Sequence, residues 1–235
     1  MQRDERIPFD VDPMARCRPA VNVRVARRLW LGIVSLLVLT LAIPAARAAE
    51  SRNTLLFFGD SLTAGLGLDN PDAEAYPAVI QRKIDEAGLP WRVVNAGLSG
   101  ETTAAGVRRV DWVLRQPVDF FFLALGANDG LRGIDPKETE QNLVQIIRRV
   151  RTKFPQARIV LAGMEMPPTM GADYTAKFRA IFPKVAELEH VTLAPFILEG
   201  IGGRPDLNQS DGIHPTAAGH TLLAENVWKV IRPLL

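Results

Sequence analysis

From residue 54 to the C-terminus, short apolar runs alternate with amphipathic stretches. The runs at 54–58, 91–95, 120–125, 158–163 and 191–193 are predicted strands. The third reads FFFLAL and is apolar on both alternating faces, the pattern of a parallel strand covered by helices on both sides. Helices are predicted between the strands. Over 138–154, Leu143, Val144, Ile146, Ile147, Val150 and Phe154 share one face, while Arg148, Arg149 and Arg151 fall elsewhere. The segment 77–87 runs into Gly88, a natural helix stop. The segment 216–231 turns Ala218, Leu222, Leu223, Val227 and Val230 toward a core. Two more helices are predicted over 102–115 and 172–188. Strand–helix alternation repeated in this way predicts a doubly wound α/β domain. Such sheets bind ligands at the carboxyl ends of their strands, so the residues just after each strand are the candidates for chemistry.

The N-terminal segment departs from this pattern. Residues 29–43 read LWLGIVSLLVLTLAI, without a charge, after Arg24, Arg27 and Arg28 and before Ala46-Arg47-Ala48. A positive flank, an apolar run and A-x-A predict a secretory signal removed after Ala48. The run is short of the roughly 20 apolar residues that a membrane span needs, so no anchor is expected after cleavage. The domain is then 49–235, and the protein is expected to be periplasmic or secreted.

That division changes the charge. The whole chain carries a formal net charge of +2, with 28 basic and 26 acidic residues. Eight arginines and four acids lie in 1–48, which leaves the remaining residues at −2. The basic excess belongs to the leader, and a nucleic-acid partner loses its support. The single cysteine, Cys17, also falls in the leader, and a cysteine-free domain suits an oxidising compartment. With 47% hydrophobic residues the chain is not a disordered one. One Cys and three His supply no metal set, so no metal or other cofactor is expected.

Four polar clusters lie where the fold gathers them: Gly59-Asp60-Ser61 after the first strand, Asn95-Ala96-Gly97 after the second, Gly126-Ala127-Asn128-Asp129 after the third, and Asp211-Gly212-Ile213-His214 before the last helix. Ser61 reads either as a helix cap or as a nucleophile activated by an imidazole. For His214, Asp211 three residues earlier offers a carboxylate that fixes the ring tautomer and leaves the other nitrogen as a base. His190 sits at the start of a predicted strand. His220, inside a helix, reads as a packed or solvated ring. Asn128 and Gly97 read either as turn residues or, with the Ser61 N–H, as donors to a tetrahedral oxyanion. There is no Gly-x-Ser-x-Gly elbow, no P-loop and no dinucleotide fingerprint.

Together these blocks, FFGDSLTAG (57–65), NAGLSGETT (95–103), LGANDGLRG (125–133) and DGIHPTAAGH (211–220), resemble those of the SGNH hydrolases, the GDSL esterase/lipase family. They stand in family order across nearly all of 53–232. The resemblance implies a three-layer α/β/α, flavodoxin-like fold with a five-stranded parallel sheet. It implies Ser61 as nucleophile, Asp211 and His214 as acid and base, and Ser61, Gly97 and Asn128 as the oxyanion hole. The block GANDGLRG is similar to that of the periplasmic thioesterase, arylesterase and lysophospholipase branch. By that analogy the acyl pocket includes Asp129, Gly130 and Leu131, with Met164, Met166 and Pro167 in its wall. The implied partner is a small acyl ester or thioester, handled by a monomer. Two other readings compete: a carbohydrate O-acetyl esterase with the same machinery, and a non-catalytic flavodoxin-like module whose Ser61 loop holds a phosphate.

Overall fold

The computed structural model describes residues 52–235. The predicted leader, 1–48, lies outside the described residues. Five parallel strands form one sheet in the order β2-β1-β3-β4-β5. They are β1 (Asn53–Gly59), β2 (Trp91–Gly97), β3 (Phe120–Ala124), β4 (Arg158–Ala162) and β5 (Thr192–Ala194). This is the doubly wound sheet that the alternation predicts, in the flavodoxin-like order that the resemblance implies.

Every residue of β3 is buried, as are all of β1 beyond Asn53. Side chains alternate across a strand, so burial at consecutive positions means that both faces of the sheet are covered. On one face α3 (Tyr76–Glu86) packs against α8 (Ala217–Ile231). Elsewhere α4 (Thr103–Val113), α6 (Pro136–Lys153) and α7 (Ala172–Leu188) pack in succession. Phe57, Phe58, Phe120, Phe121 and Phe122 fill the centre, with Phe57 against Phe122 at 5.0 Å between ring centroids.

All five predicted long helices form, with ends displaced for local reasons. The α6 helix begins two residues before the predicted 138, because Asp135 accepts the Lys137 N–H (2.9 Å) and Pro136 takes the first turn, where its missing donor costs nothing. The face predicted for α8 holds for Leu223 and Val227, but Ala218 is exposed. His190 does not begin a strand. It lies in the turn after α7, with φ +49°, and β5 starts at Thr192. Three short helices had no periodicity to announce them: α1 (Ser61–Ala64), α2 (Pro71–Glu74) and α5 (Ala127–Leu131). Among the described residues no helix is long and apolar enough to cross a membrane.

Candidate active site

Three strands end level with one another. Gly59 of β1 stands opposite Gly97 of β2 and Ala124 of β3. Strand order reverses here, so the chain leaves β1, β2 and β3 into the same space, the position where such sheets place their ligands.

After β1, Asp60 caps α1, its carboxylate accepting the Leu62 N–H at 3.0 Å. Ser61 is therefore not the cap but the first helical residue, and its hydroxyl is left for another partner. That partner is His214, with Nε2 2.9 Å from Ser61 Oγ. The two residues are 153 positions apart. Burial pushes the Asp60 carboxyl up to about 6, against the pull of its bonds from Leu62 and Asn128.

His214 sits in a turn made around Asp211. Asp211 Oδ1 accepts the N–H of Ile213 (2.9 Å) and of His214 (3.0 Å), while Oδ2 lies 2.6 Å from His214 Nδ1. Gly212 at φ +68° lets the backbone fold tightly enough for all three. These bonds, the ring's first, hold the Asp211 carboxyl down at about 2. An ionised carboxylate only accepts, so Nδ1 carries a proton, and in the neutral ring Nε2 then presents its lone pair to the Ser61 hydroxyl. The preceding loop is braced by side chains that drew no attention in the sequence. Asn208 donates to the carbonyls of Ile201 (2.6 Å) and Arg204 (2.8 Å). Gln209 donates to the carbonyls of Leu66 (2.8 Å) and Pro215 (3.0 Å), and its own N–H bonds the His214 carbonyl at 2.7 Å.

Asn128, at the start of α5, donates Nδ2 to Asp60 Oδ2 (3.3 Å) and to the Glu101 carbonyl (3.2 Å). Its amide thus lies between the exits of β1 and β2. Gly97 does not match its expected role. It belongs to β2, and its N–H is donated to Asn95 Oδ1 at 3.0 Å. Its lack of a side chain serves packing, since a Cβ there would come within 2.3 Å of the Ala64 nitrogen. Gly100, three residues on, lies outside any strand or helix at φ +78°, next to the Glu101 carbonyl that holds Asn128.

The expected pocket residues divide. Asp129 is fully buried, and its carboxylate accepts from the Thr103 N–H (2.8 Å) and the Thr103 hydroxyl (2.5 Å). It fastens α5 to α4 beneath the surface and is not available to a substrate. Gly130 packs against Met166, whose sulfur would be 2.1 Å from a Cβ at that position. Met164 and Met166 are buried in the core, while Leu131 and Pro167 are exposed.

His220 is a packed ring, one of the two readings the sequence left. It is buried, stacked on Tyr76 with an 8° interplanar angle, and accepts the Tyr76 N–H at Nδ1 (3.2 Å). Burial first, then the charge of His214, lowers it to about 4. Among the described residues no group of three His, Cys, Asp or Glu could hold a metal ion.

A serine, an imidazole and a carboxylate in one hydrogen-bonded line, at the switch point of a parallel sheet, place the chain among α/β hydrolytic proteins. Residues 57–222 match the GDSL-like Lipase/Acylhydrolase family, and the chain belongs to it. The chain is 38% identical over 196 residues to "Esterase TesA" of Pseudomonas aeruginosa, covering 83% of this chain and 96% of that protein. It is 37% identical over 188 residues to "Thioesterase 1/protease 1/lysophospholipase L1" of Escherichia coli (strain K12), covering 80% and 87%. The crystal structure of TesA superposes with a TM-score of 0.74 at 40% identity, covering 78% of this chain and all of that one. The protein is an esterase of the SGNH type, a carboxylic ester hydrolase, and the reading as a non-catalytic module is set aside.

Proposed function

We propose that this enzyme is an exported serine esterase that cleaves carboxylic esters or thioesters through an acyl-enzyme. The 2.9 Å contact between His214 Nε2 and Ser61 Oγ carries the reading. His214 takes the hydroxyl proton as Ser61 attacks the carbonyl carbon. Asp211 keeps the ring in the tautomer that can do so and stabilises the imidazolium that forms. The alcohol or thiol leaves with the proton from His214. Water, deprotonated by the same nitrogen, then releases the acid.

The oxyanion is held by the Ser61 N–H, the Asn128 amide and the N–H of Gly100. Gly100 takes the place expected of Gly97 because the Gly97 N–H is already donated to Asn95. The Ser61 N–H opens a helix and has no helical acceptor. Both bonds of the Asn128 amide are long, at 3.3 and 3.2 Å, so a developing negative charge can draw it away from either acceptor. Leu131 and Pro167 contact the acyl group, above a floor made by Gly130, Met164 and Met166.

Ser61→Ala removes hydrolysis of nitrophenyl acyl esters and labelling by an organophosphonate, with the fold intact. Full activity in that variant overturns the assignment. Rates on esters of increasing acyl length, an acyl-CoA and an acetylated sugar decide the substrate class. Export rests on the sequence of 24–48: the domain, 49–235, acts as a monomer in the periplasm or outside the cell. N-terminal sequencing of protein from a periplasmic fraction tests the cleavage, and sedimentation tests the monomer.

A further inference from the structure

Arg109 lies on α4, outside every motif that defines the site, yet its guanidinium touches the segments leaving two strands. Its Nε donates to Glu101 Oε1 at 2.7 Å and its Nη2 to Glu101 Oε2, a two-pronged ion pair. The same Nη2 donates to the Ala96 carbonyl at 2.8 Å. Its plane lies over the Phe58 ring, 4.3 Å from the centroid. Phe58 precedes Gly59-Asp60-Ser61 at the end of β1. Ala96 precedes Gly97 at the end of β2. Glu101 follows Gly100, and its carbonyl accepts the Asn128 amide at 3.2 Å.

The Glu101 side chain is 1% exposed and that of Arg109 19%. Removing two charges from water is costly, and an apolar pair of similar volume commonly serves stability as well. A buried ion pair at this place therefore asks for a reason beyond stability. The geometry supplies one. Donors aimed at an oxyanion must be held within about 0.5 Å of their working positions. The turn 98–101 carries one donor and, through its carbonyl, fixes another. With no regular structure of its own, it is clamped by the Arg109 fork across both its ends.

Building on the oxyanion reading above, we propose that Arg109 is a positioning residue for ester hydrolysis: through Glu101, Ala96 and Phe58 it sets the three strand exits that bear Ser61, Gly100 and Asn128 in register with one another. It touches no reacting atom. A lysine cannot replace it, because a single ammonium lacks the planar fork that engages both carboxylate oxygens and the carbonyl together.

The test is a set of double-mutant comparisons on a short-chain nitrophenyl ester, using Arg109→Lys, Arg109→Met and Glu101→Gln, each alone and combined with Asn128→Ala. The Arg109 variants are expected to lower kcat by about tenfold or more, with KM within about threefold, because the loss falls on the transition state. Each double variant is expected to lose at least about fivefold less than the product of its two single losses, since both substitutions act on one unit. Thermal unfolding confirms that each variant is folded. Should Arg109→Met fail to fold, the Lys and Gln variants carry the same comparison. Arg109→Lys within twofold of wild-type kcat, or losses that simply multiply, overturns the proposal. Ser61→Ala separates the two levels. If that variant is inactive while the Arg109 variants keep their kcat, only the role of Arg109 falls. If it is fully active, the whole site reading falls with it.

Discussion

Asp60 and Asn128 face each other at 3.3 Å, carboxylate to amide, directly behind Ser61. Asp60 is fully buried and its carboxyl is raised to about 6 from an ordinary 3.8, with burial the leading cause. Its folded-state pKa lies above its unfolded one, so the folded protein holds the proton more tightly. Stability is therefore lost as pH rises from 3.8 to about 6 and stays lost above. Asp60→Asn keeps an acceptor for Leu62 and removes the charge. Wild type is expected to lose on the order of 2–3 kcal/mol between pH 4 and pH 8 through this group, and Asp60→Asn is expected not to show that loss, as read by denaturant unfolding at both pH values. The substitution is also expected to lower kcat, because the Asn128 amide loses its charged acceptor.

His220 has the opposite slope. Its pKa falls from 6.5 to about 4, so the unfolded chain binds the proton first as pH drops. The stability that it contributes above 6.5 is lost as pH falls toward about 4. His220→Asn, which retains an acceptor for the Tyr76 N–H, is expected to lose up to about 3 kcal/mol less than wild type between pH 7 and pH 4. Unfolding midpoints across that range measure it. Equal acid sensitivity in the two proteins would show that the ring is not buried in its neutral form.

Asp211, held at about 2, is ionised throughout the working range of the enzyme. Any acidic limb in a pH–rate profile therefore belongs to another group. Asp211→Asn is expected to keep the turn but present an amide to Nδ1, favouring the wrong tautomer. A fall in kcat of about 10²–10⁴ with KM little changed is expected from steady-state kinetics.

Gly97 and Gly100 separate packing from catalysis. Gly97→Ala drives a Cβ against the backbone of α1 at Ala64. It is expected to cost about 1–3 kcal/mol in denaturant unfolding. At Gly100 the nearest atom to a new Cβ is 3.7 Å away, so crowding is absent and only the positive φ resists. Gly100→Ala is expected to lower kcat by a larger factor than its loss of stability suggests.

The sheet was legible because FFFLAL admits no exposed face, and α6 because its apolar positions recur at helical spacing over about three turns. Ser61, Asp211 and His214 were legible because a short turn joins the last two and strand ends gather the first. The errors share a cause, which is that partners distant in sequence decide a residue's role. The β2 strand continues to Gly97, two residues past its predicted end at 95, because it pairs with Gly59 there, and its end is where Asn95 takes the Gly97 N–H. Asp129 reads as a pocket residue by analogy until Thr103, 26 residues away, is seen to bond it beneath the surface. Met164 and Met166 are buried rather than surface positions, since Gly130 offers no side chain to hold Met166 away. Asp60 and Ser61 are equally good caps by type, and a register of one residue chose between them.

Ser61 and His214, the proposed nucleophile and base, have unequal mechanical standing. Ser61 opens α1 directly after β1, a strand paired with β2 on one side and β3 on the other. His214 hangs on a strap, 199–216, that is moored to the nucleophile's side by a side-chain amide from Gln209 to the Leu66 carbonyl. Retuning that mooring would alter how often the ring meets its hydroxyl while leaving the scaffold untouched, so evolution can change the tempo of this enzyme without rebuilding its floor.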